Sequence, residues 1–252
     1  MIPIKSPADL DRMRRSNRIA ASVRDRIAAE TRPGVTTGDL DALAAELIRE
    51  YGARSAFKGY RGYPGHICAS VNEEVVHGVP GARRIRMGDL VSLDVGVVFD
   101  GFVGDTATTV MVGVSDVEAI RLVDVARQAL EAAVAAARPG ARVSDLSHAI
   151  ESTAKAAGFS VVRDFVGHGI GRAMHEEPQI PNFGAPGRGP TLRPGMTLAI
   201  EPMLNRGGGD VTVLGDGWTV VTRDGQPSAH FEHTVAVGEA GAEILTESGG
   251  DG

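Results

Sequence analysis

Arg86-Met87-Gly88-Asp89-Leu90-Val91-Ser92-Leu93-Asp94 matches Arg193-Pro194-Gly195-Met196-Thr197-Leu198-Ala199-Ile200-Glu201 in register. Both stretches run from an arginine and a glycine into an apolar segment, and both end in an acid. The match therefore aligns Asp94 with Glu201. A repeat of this kind predicts two similar halves, each of which places a carboxylate on a buried strand.

A second pair of matching segments lies upstream of the first. Arg32-Pro33-Gly34 followed by Asp39-Leu40 matches Arg138-Pro139-Gly140 followed by Asp145-Leu146. The prolines and glycines indicate breaks between helices, so each half is expected to begin with helices and to end in strands. Pseudo-symmetry between the halves would bring their acids to a shared centre, which is one way to build a carboxylate metal site.

Composition sets the broad class of the protein. The chain of 252 residues is 42% hydrophobic, so we expect a single domain over 1–252, with halves of roughly 1–112 and 113–245. Cys68 is the single cysteine, which excludes an internal disulfide and favours a reducing, cytoplasmic location. Residues 1–10 lack the apolar core of a signal peptide, and no apolar run approaches the roughly 18 residues of a membrane helix. The net charge of −6 argues against a general nucleic-acid binder.

Capping residues and apolar spacing predict four helices. Ser6 is the expected N-cap of the first helix, Thr37 of the second and Ser144 of the fourth, and a capping box over Ser115–Glu118 opens the third. The first helix is expected to end near Glu30, the second to run from about Gly38 to Tyr51, the third to end near Ala137 and the fourth at Gly158.

Asp100-Gly101 is a strong type I′ hairpin signal between two apolar strands. A two-residue turn at this point places Asp94 opposite Ala107, with Asp105 two residues from that partner and on the same face. Residues 247–252 are expected to form a disordered tail. The predicted strands are 90–99, 102–112, 197–204, 218–222 and 229–237.

Two carboxylates on one face of one hairpin create an electrostatic difficulty. Without a partner, Asp94 and Asp105 would repel each other, and one of them would have to stay protonated. A divalent cation between them removes the repulsion. Hairpin geometry alone therefore leaves metal binding and purely structural aspartates as equal alternatives.

The other candidate residues are weaker when each is taken alone. His168 stands among the glycines of Val166–Gly171, where backbone can approach a site closely, and His175 follows nearby. Taken singly, Glu201 and Glu232 are each expected to face solvent from a strand. Together, two aspartates, two glutamates and a histidine form an oxygen-rich set that suits Mn, Fe, Co or Zn. Carboxylates able to bridge favour a two-metal site that activates water for hydrolysis.

Seven motifs stand in order along the chain, and each is weak when taken alone. They are Asn72–Pro80, Leu93–Gly96, Gly104–Ala107, Gly167–Gly171, Met174–Pro178, Ile200–Met203 and Phe231–Thr234. The ordered set resembles the motifs of the type I methionine aminopeptidases, which belong to the M24 metallopeptidases. The resemblance covers about residues 4–238, nearly the whole chain, and its motifs are highly specific as a set.

The resemblance implies the pita-bread fold, in which two pseudo-symmetric α/β (α+β) halves, with antiparallel sheet and flanking helices, surround a central dinuclear metal site. It implies two divalent metal ions (Co, Mn, Fe or Zn) bridged by Asp105 and Glu232. Asp94 would complete the shell of one metal, and His168 with Glu201 that of the other. Glu201 would also handle the proton of the attacking water, so that a metal-bound hydroxide cleaves the first peptide bond.

The resemblance also implies how a substrate is bound. His175 would stabilise the oxyanion at the scissile carbonyl, and His77 would contact the substrate near the scissile amide. With Glu201, these two histidines are the expected catalytic residues. The expected methionine pocket consists of Tyr60, Tyr63, Cys68, His77 and Trp218.

Three positions depart from the pattern of the family. His66 stands where a small residue is common, Met174 where an aromatic residue is frequent, and His230 where glutamine often occurs. None of the three is a proposed ligand. The departures therefore concern the shape of the pocket rather than the reaction.

The activity that the resemblance implies is removal of the initiator methionine from nascent proteins that have a small second residue. The nascent chain is the expected partner of a monomeric enzyme, and the ribosome is a further candidate; neither a membrane nor a direct nucleic-acid role is expected. One alternative is a proline-directed aminopeptidase of the same fold, against which the methionine-pocket residues argue. Another is a non-catalytic pita-bread binding factor, against which the five metal ligands argue.

Overall fold

The computed structural model describes residues 2–247, so the predicted tail lies outside the described residues except for Glu247. Within this range the helices are α1 (Pro7–Glu30), α2 (Thr37–Glu50), α3 (Val117–Ala136) and α4 (Val143–Ala156). The strands of the same range are β1 (Arg54–Ser55), β2 (Cys68–Val71), β3 (Glu74–Val76), β4 (Leu90–Phe99), β5 (Phe102–Met111), β6 (Ser160–Val161), β7 (Val166–Gly169), β8 (Glu176–Pro181), β9 (Thr197–Ile200), β10 (Met203–Asn205), β11 (Val211–Val213), β12 (Val220–Thr222), β13 (Ser228–His230), β14 (Glu232–Val237) and β15 (Ala242–Ile244).

The helices repeat between the halves, as the matching segments predict. Helices α2 and α4 both contain 14 residues, and each follows a longer helix and a Pro-Gly turn. An isolated β-bridge joins the residue before each of these helices to the segment ahead of the repeated strand. The bridge pairs Thr36 with Arg84 in the first half and Arg142 with Thr191 in the second.

Three of the predicted helix caps are wrong, two of them by one residue and one by two residues. The N-cap of α2 is Thr36 rather than Thr37, and the N-cap of α3 is Asp116 rather than Ser115. The N-cap of α4 is Arg142, two residues before the predicted Ser144, so Ser144 lies inside the first turn of the helix. At the starts of α2 and α3, two consecutive residues both have a side-chain oxygen. The N-cap is the one whose oxygen reaches the free N–H groups of the first turn.

The β4–β5 hairpin has the predicted turn and register. Asp100 and Gly101 have φ angles of 50° and 77°, the two positive values that a type I′ turn requires. Asp94 pairs with Ala107 across the hairpin. Asp105, two residues from Ala107 on the same strand, therefore lies diagonally across from Asp94 on the same face.

A nine-stranded antiparallel sheet of the described chain runs through both halves. Its order is β1-β4-β5-β14-β9-β7-β8, with β2 paired to β4 and β15 paired to β14. The halves join where β5 pairs with β14, with Ala107 opposite Glu232. This junction brings the acids of the first-half hairpin beside those of the second half.

Two of the predicted strands are each divided in the structure. The stretch 197–204 becomes β9 and β10, which belong to different sheets and are separated by Glu201-Pro202. The stretch 229–237 becomes β13 and β14, separated at Phe231, and 218–222 shortens to β12. Proline lacks the N–H that continues a ladder, so β9 ends at Ile200 and leaves Glu201 just beyond it.

The helices of each half cover the sheet with apolar side chains. The first-half cluster includes Ile19, Ile27, Leu40, Val91 and Leu93. The second-half cluster includes Leu122, Leu130, Leu146, Leu198 and Val235. No helix among residues 2–247 is both long and apolar enough to cross a membrane.

Candidate metal centre

A cavity of about 220 Å³ lies between the two halves. Its wall contains every residue that the sequence predicts to bind metal or substrate. The first half contributes Tyr60, Tyr63, Cys68, His77, Asp94 and Asp105. The second half contributes His168, His175, Glu201, Trp218 and Glu232. The fold thus assembles, in one place, side chains that stand far apart in the sequence.

Helix α1 fixes the position of Asp105 on β5. Gly104 lets the helix approach the strand, because a Cβ there would lie 2.5 Å from the carbonyl oxygen of Ser16. The backbone N–H of Asp105 donates to Asn17 Oδ1 at 3.3 Å, and the hydroxyl of Thr234 donates to the carbonyl oxygen of Asp105 at 2.8 Å. The backbone of Asp105 is held by both neighbours, which leaves its carboxylate for the cavity wall.

Glycines allow the strand of His168 to pack tightly against its neighbours. A Cβ on Gly167 would lie 2.6 Å from the carbonyl oxygen of Ala199, and a Cβ on Gly169 would collide with the carbonyl oxygen of Glu177. The glycines on both sides of His168 therefore allow neighbouring backbone to pack closely against this strand.

A backbone hydrogen bond sets the tautomer of His168. Its Nδ1 lies 2.9 Å from the carbonyl oxygen of Gly169, and a carbonyl only accepts, so Nδ1 carries the proton. The lone pair of Nε2 is then free, 3.4 Å from Glu201 Oε1 and 4.0 Å from Asp105 Oδ2. Burial lowers the pKa of His168 to about 4, so the imidazole is neutral at neutral pH and Nε2 can serve as a metal ligand.

Glu201 and Glu232 are both withdrawn from solvent, so the expectation that each faces solvent is wrong. Glu232 is 2% exposed, because the pairing of β14 with β5 places it at the centre of the sheet. Glu201 follows β9 and lies between two imidazoles. Its Oε1 is near His168, and its Oε2 lies 3.6 Å from Nε2 of the buried His230.

The four carboxyl groups share a buried site that disfavours their ionised forms. Burial raises the pKa of Asp94 to about 7 and that of Glu201 to about 8. Burial also raises the pKa of Asp105 and of Glu232 well above the ordinary carboxyl value, and the neighbouring acids raise both further. Full ionisation of this cluster at neutral pH requires a compensating cation.

The donor atoms fit a divalent metal. One ligand atom each from Asp105, His168 and Glu232 lie within 4.8 Å of one another. Within the described chain, Asp94 Oδ1, Asp105 Oδ1 and Glu232 Oε1 are buried without a hydrogen-bond partner. Buried oxygens without partners are costly and uncommon, and a cation among them would satisfy all three.

His175 lies beside the cluster, on the turn between β7 and β8. Its ring centre is 4.4 Å from that of His168, and its Nδ1 is 2.9 Å from the hydroxyl of Tyr60. Burial lowers the pKa of His175, which favours a neutral ring. A neutral ring that accepts from Tyr60 at Nδ1 keeps its proton on Nε2 and can donate it in a hydrogen bond.

Aromatic rings and a sulfur atom form the other side of the cavity. Tyr63 meets Trp218 edge to face at 5.0 Å between ring centres, and His77 lies 6.3 Å from Trp218. Cys68 is buried and pairs with Asp94 across β2 and β4, so the sulfur and the acid adjoin. His77 has a φ of 59°, a left-handed conformation that is uncommon for a non-glycine residue.

Three further residues, Phe57, Arg61 and Met174, line the cavity and are absent from the predicted site. Gly96 makes room for two of them, because a Cβ there would lie 2.5 Å from the ring of Phe57 and 2.9 Å from Cε of Met174. Met174 directly precedes the predicted site residue His175, so its place at the cavity could have been predicted from the sequence. No spacing in the sequence marks Phe57.

Comparisons with known proteins identify the family of this chain. The model of metallopeptidase family M24 matches residues 11–239. The methionine aminopeptidase 1 of Bacillus subtilis is 47% identical over 246 residues, which cover 98% of this chain and 99% of the relative.

Solved structures give the same result. The methionine aminopeptidase of Thermotoga maritima superposes with a TM-score of 0.97 at 48% identity, over 98% of this chain and 100% of that chain. The prolidase of Pyrococcus horikoshii shares the fold alone, with a TM-score of 0.80 at 22% identity over 98% of this chain and 64% of that chain. The predicted pita-bread fold is confirmed, and this chain belongs to metallopeptidase family M24.

Proposed function

We propose that this protein removes the N-terminal methionine from newly made polypeptides by metal-dependent hydrolysis of the first peptide bond. The observation that carries the proposal is one cavity in which five candidate metal ligands adjoin a wall of aromatic and sulfur side chains. Relatives that match nearly the full length and are named methionine aminopeptidases support it.

Asp94, Asp105, His168, Glu201 and Glu232 would hold two divalent ions. Mn, Fe, Co and Zn all accept a set of carboxylates with one imidazole, and availability in the cell often decides among them. When bound, such ions supply Lewis-acid activation of the scissile carbonyl and of a water molecule. The remaining tasks fall to the side chains of the protein.

Glu201 is the proposed carrier of the proton. Its carboxylate would accept a proton from the attacking water and deliver it to the departing amine, first as general base and then as general acid. The imidazoles of His168 and His230, at 3.4 and 3.6 Å from its two oxygens, restrict where this carboxylate can lie.

His175 would donate a hydrogen bond to the scissile carbonyl oxygen as negative charge develops there. The hydroxyl of Tyr60 supports the required tautomer by contact with Nδ1 of His175. His77, held in a left-handed conformation on the opposite side, would contact the substrate near the scissile amide.

Tyr60, Tyr63, Cys68, His77 and Trp218 would receive the methionine side chain. A thioether is polarisable and favours contact with aromatic rings, which is the chemistry of this wall. Because bound metals and the pocket wall would crowd the scissile bond, we expect a small second residue to be preferred.

Hydrolysis of two tripeptides tests the proposal directly. Metal-stripped protein is given Met-Ala-Ser or Ala-Pro-Ala, with and without added Mn or Co. We expect release of methionine only with metal, and no cleavage of the proline peptide. Cleavage of Ala-Pro-Ala would instead favour the proline-directed alternative, and bound metal without cleavage of either peptide would favour a binding factor.

A nascent-chain substrate also motivates contact with the ribosome in the cytoplasm. Co-sedimentation of the purified protein with ribosomes tests this part of the proposal. Absence of the protein from the ribosomal pellet at low salt would contradict it without affecting the proposed hydrolysis.

A further inference from the structure

A buried ion pair from the start of the chain reaches the turn that carries His175. Lys5 Nζ lies 2.6 Å from Glu176 Oε2, and the two side chains are only 5% and 12% exposed. Glu176 directly follows His175 in the sequence and begins β8. The pair therefore connects two segments that are remote in sequence at a point adjacent to the cavity.

The second oxygen of Glu176 holds the turn itself. Glu176 Oε1 accepts the backbone N–H of Arg172 at 2.9 Å and that of Ala173 at 3.3 Å. One carboxylate thus binds Lys5 through one oxygen and the backbone of the turn through the other. A turn fastened in this way has little freedom to shift relative to β7, which carries His168.

Lys5 is itself fixed to the sheet. Its backbone N–H donates to the carbonyl oxygen of Gly195 at 2.8 Å, just ahead of β9. A Cβ on Gly171 would lie 2.5 Å from Lys5 Cε and 2.8 Å from Glu176 Oε1, so the ion pair packs directly against the backbone of the turn. The lysine is a rigid contact rather than a mobile surface cation.

We propose that Lys5 is a positioning residue, whose ion pair with Glu176 holds His175 where it can reach the scissile carbonyl. The inference rests on the proposed function, since it needs the role assigned there to His175. Lys5 does not line the cavity, so it acts through the turn and not on the substrate. Loss of either partner leaves a buried charge without compensation and removes the anchor of the turn.

The test is a double-mutant cycle on the metal-loaded enzyme with Met-Ala-Ser as substrate. Lys5→Met keeps the length of the side chain and removes its charge. We expect Lys5→Met to lower kcat about tenfold with little change in KM. The effect should be smaller than the roughly 10²–10³-fold loss on removal of an oxyanion donor, because His175 is displaced rather than removed. In a His175→Ala background, the same substitution should lower kcat no further.

Two variants serve as controls. Lys5→Arg keeps the charge and should recover most of the lost kcat. Arg14→Met removes a different ion pair, in which Arg14 Nε of the first helix lies 2.7 Å from Glu243 Oε1. This substitution should leave kcat unchanged. If Lys5→Met does not fold, Lys5→Gln, which can still donate one hydrogen bond to Glu176, replaces it in the cycle.

The outcomes separate this inference from the proposed function. An inactive wild type would contradict the proposed function. If the wild type is active, Lys5→Met could still lower kcat by the same factor in the presence and in the absence of His175. That result would overturn the positioning role of Lys5 and leave the proposed function intact. So would a Lys5→Met variant with unchanged kcat, or one that has lost its metal according to metal analysis.

Discussion

The two halves share a backbone frame but differ in the side chains that they place on it. In the first half Asp94 pairs with Ala107 across β4 and β5. In the second half Ile200 pairs with His233 across β9 and β14. The next residues of these two segments, Glu201 and Glu232, therefore stand at the places that correspond to Asp94 and Ala107. The strand acid is therefore repeated, whereas Glu232 stands where the first half has only Ala107.

The same registers identify two more unequal pairs. Asp105 pairs with Gly96, and His230 pairs with Met203, the residue that matches Gly96 in the repeat. Asp105 therefore corresponds to His230, and matching threonine hydroxyls donate at 2.8 Å to the carbonyl oxygens of both. His168 corresponds to Ser70, because each pairs with the matched residue of the repeated strand. A duplicated frame can thus keep its backbone contacts while each half takes a different part of the chemistry.

The largest effect is expected at Asp105, the proposed metal ligand on β5 of the first half. Asp105→Asn should remove most metal binding and lower kcat/KM by about 10³-fold or more, since the metals contribute several kcal/mol. Asp100→Asn, at the turn of the same hairpin, is the matched control and should change neither quantity. Calorimetric metal titration and peptide hydrolysis measure both, and normal turnover of Asp105→Asn would show that the halves do not share a site.

The two histidines that are proposed to contact the substrate, His77 and His175, are expected to give the next largest effect. His77 and His175 stand equally far along the chain from Ser70 and His168, so each half supplies one of them. His175→Ala should lower kcat about 10²–10³-fold while it leaves metal content intact. If His77→Ala gives the same loss of kcat, the two histidines share one role; loss of metal from His175→Ala would contradict its assignment.

His230 tests whether the counterpart of Asp105 supports the metal site. Its Nε2 is buried without a hydrogen-bond partner in the described chain, 3.6 Å from Glu201 Oε2. His230→Ala should weaken metal binding by about 10–100-fold, the usual cost of losing an outer partner of a ligand. His230→Gln keeps an N–H donor and should bind metal almost normally. Equal affinity in all three proteins would mean that His230 only fills space.

The smallest effect concerns the stability of the metal-free protein. Because burial raises the pKa of Asp94 to about 7 and that of Glu201 to about 8, the folded state holds protons that the unfolded state has lost. Its free energy of unfolding should therefore fall as pH rises to about 8. Histidines such as His168, whose pKa falls from 6.5 to about 4, oppose this trend only below pH 6.5.

Denaturant titrations of chelated protein at pH 6.5 and pH 8 measure the difference. We expect a loss on the order of 2 kcal/mol across this range, and recovery when Mn or Co is added. A metal-free protein that is equally stable at both pH values would show that the carboxyl cluster is not protonated in the absence of metal.

The sequence was most informative where local rules decide the structure. Asp100-Gly101 specified both the turn and the register, so the placement of Asp94 relative to Asp105 followed from two residues. The internal repeat predicted paired helices because Pro-Gly breaks and capping residues act locally. The prediction of one strand over 197–204 was wrong at Glu201-Pro202. The missing N–H of the proline ends the ladder of β9, but the sequence does not reveal that the chain then continues in a different sheet.

The sequence was least informative where distant segments meet. The burial of Glu232 depends on the pairing of β14 with β5, which local patterning does not predict, so this residue was expected to face solvent. Phe57 reaches the cavity only because Gly96 leaves space on another strand. The roles of the five ligands came from the resemblance to a family, since residue types and spacing left structural aspartates as an equal alternative.

The central claim is that one metal site is built from both halves. Anomalous diffraction at the manganese edge, from crystals grown with Mn, tests it most directly. We expect two peaks, contacted by Asp94 and Asp105 of the first half and by His168, Glu201 and Glu232 of the second. Peaks contacted by residues of one half alone, or outside this cavity, would contradict it.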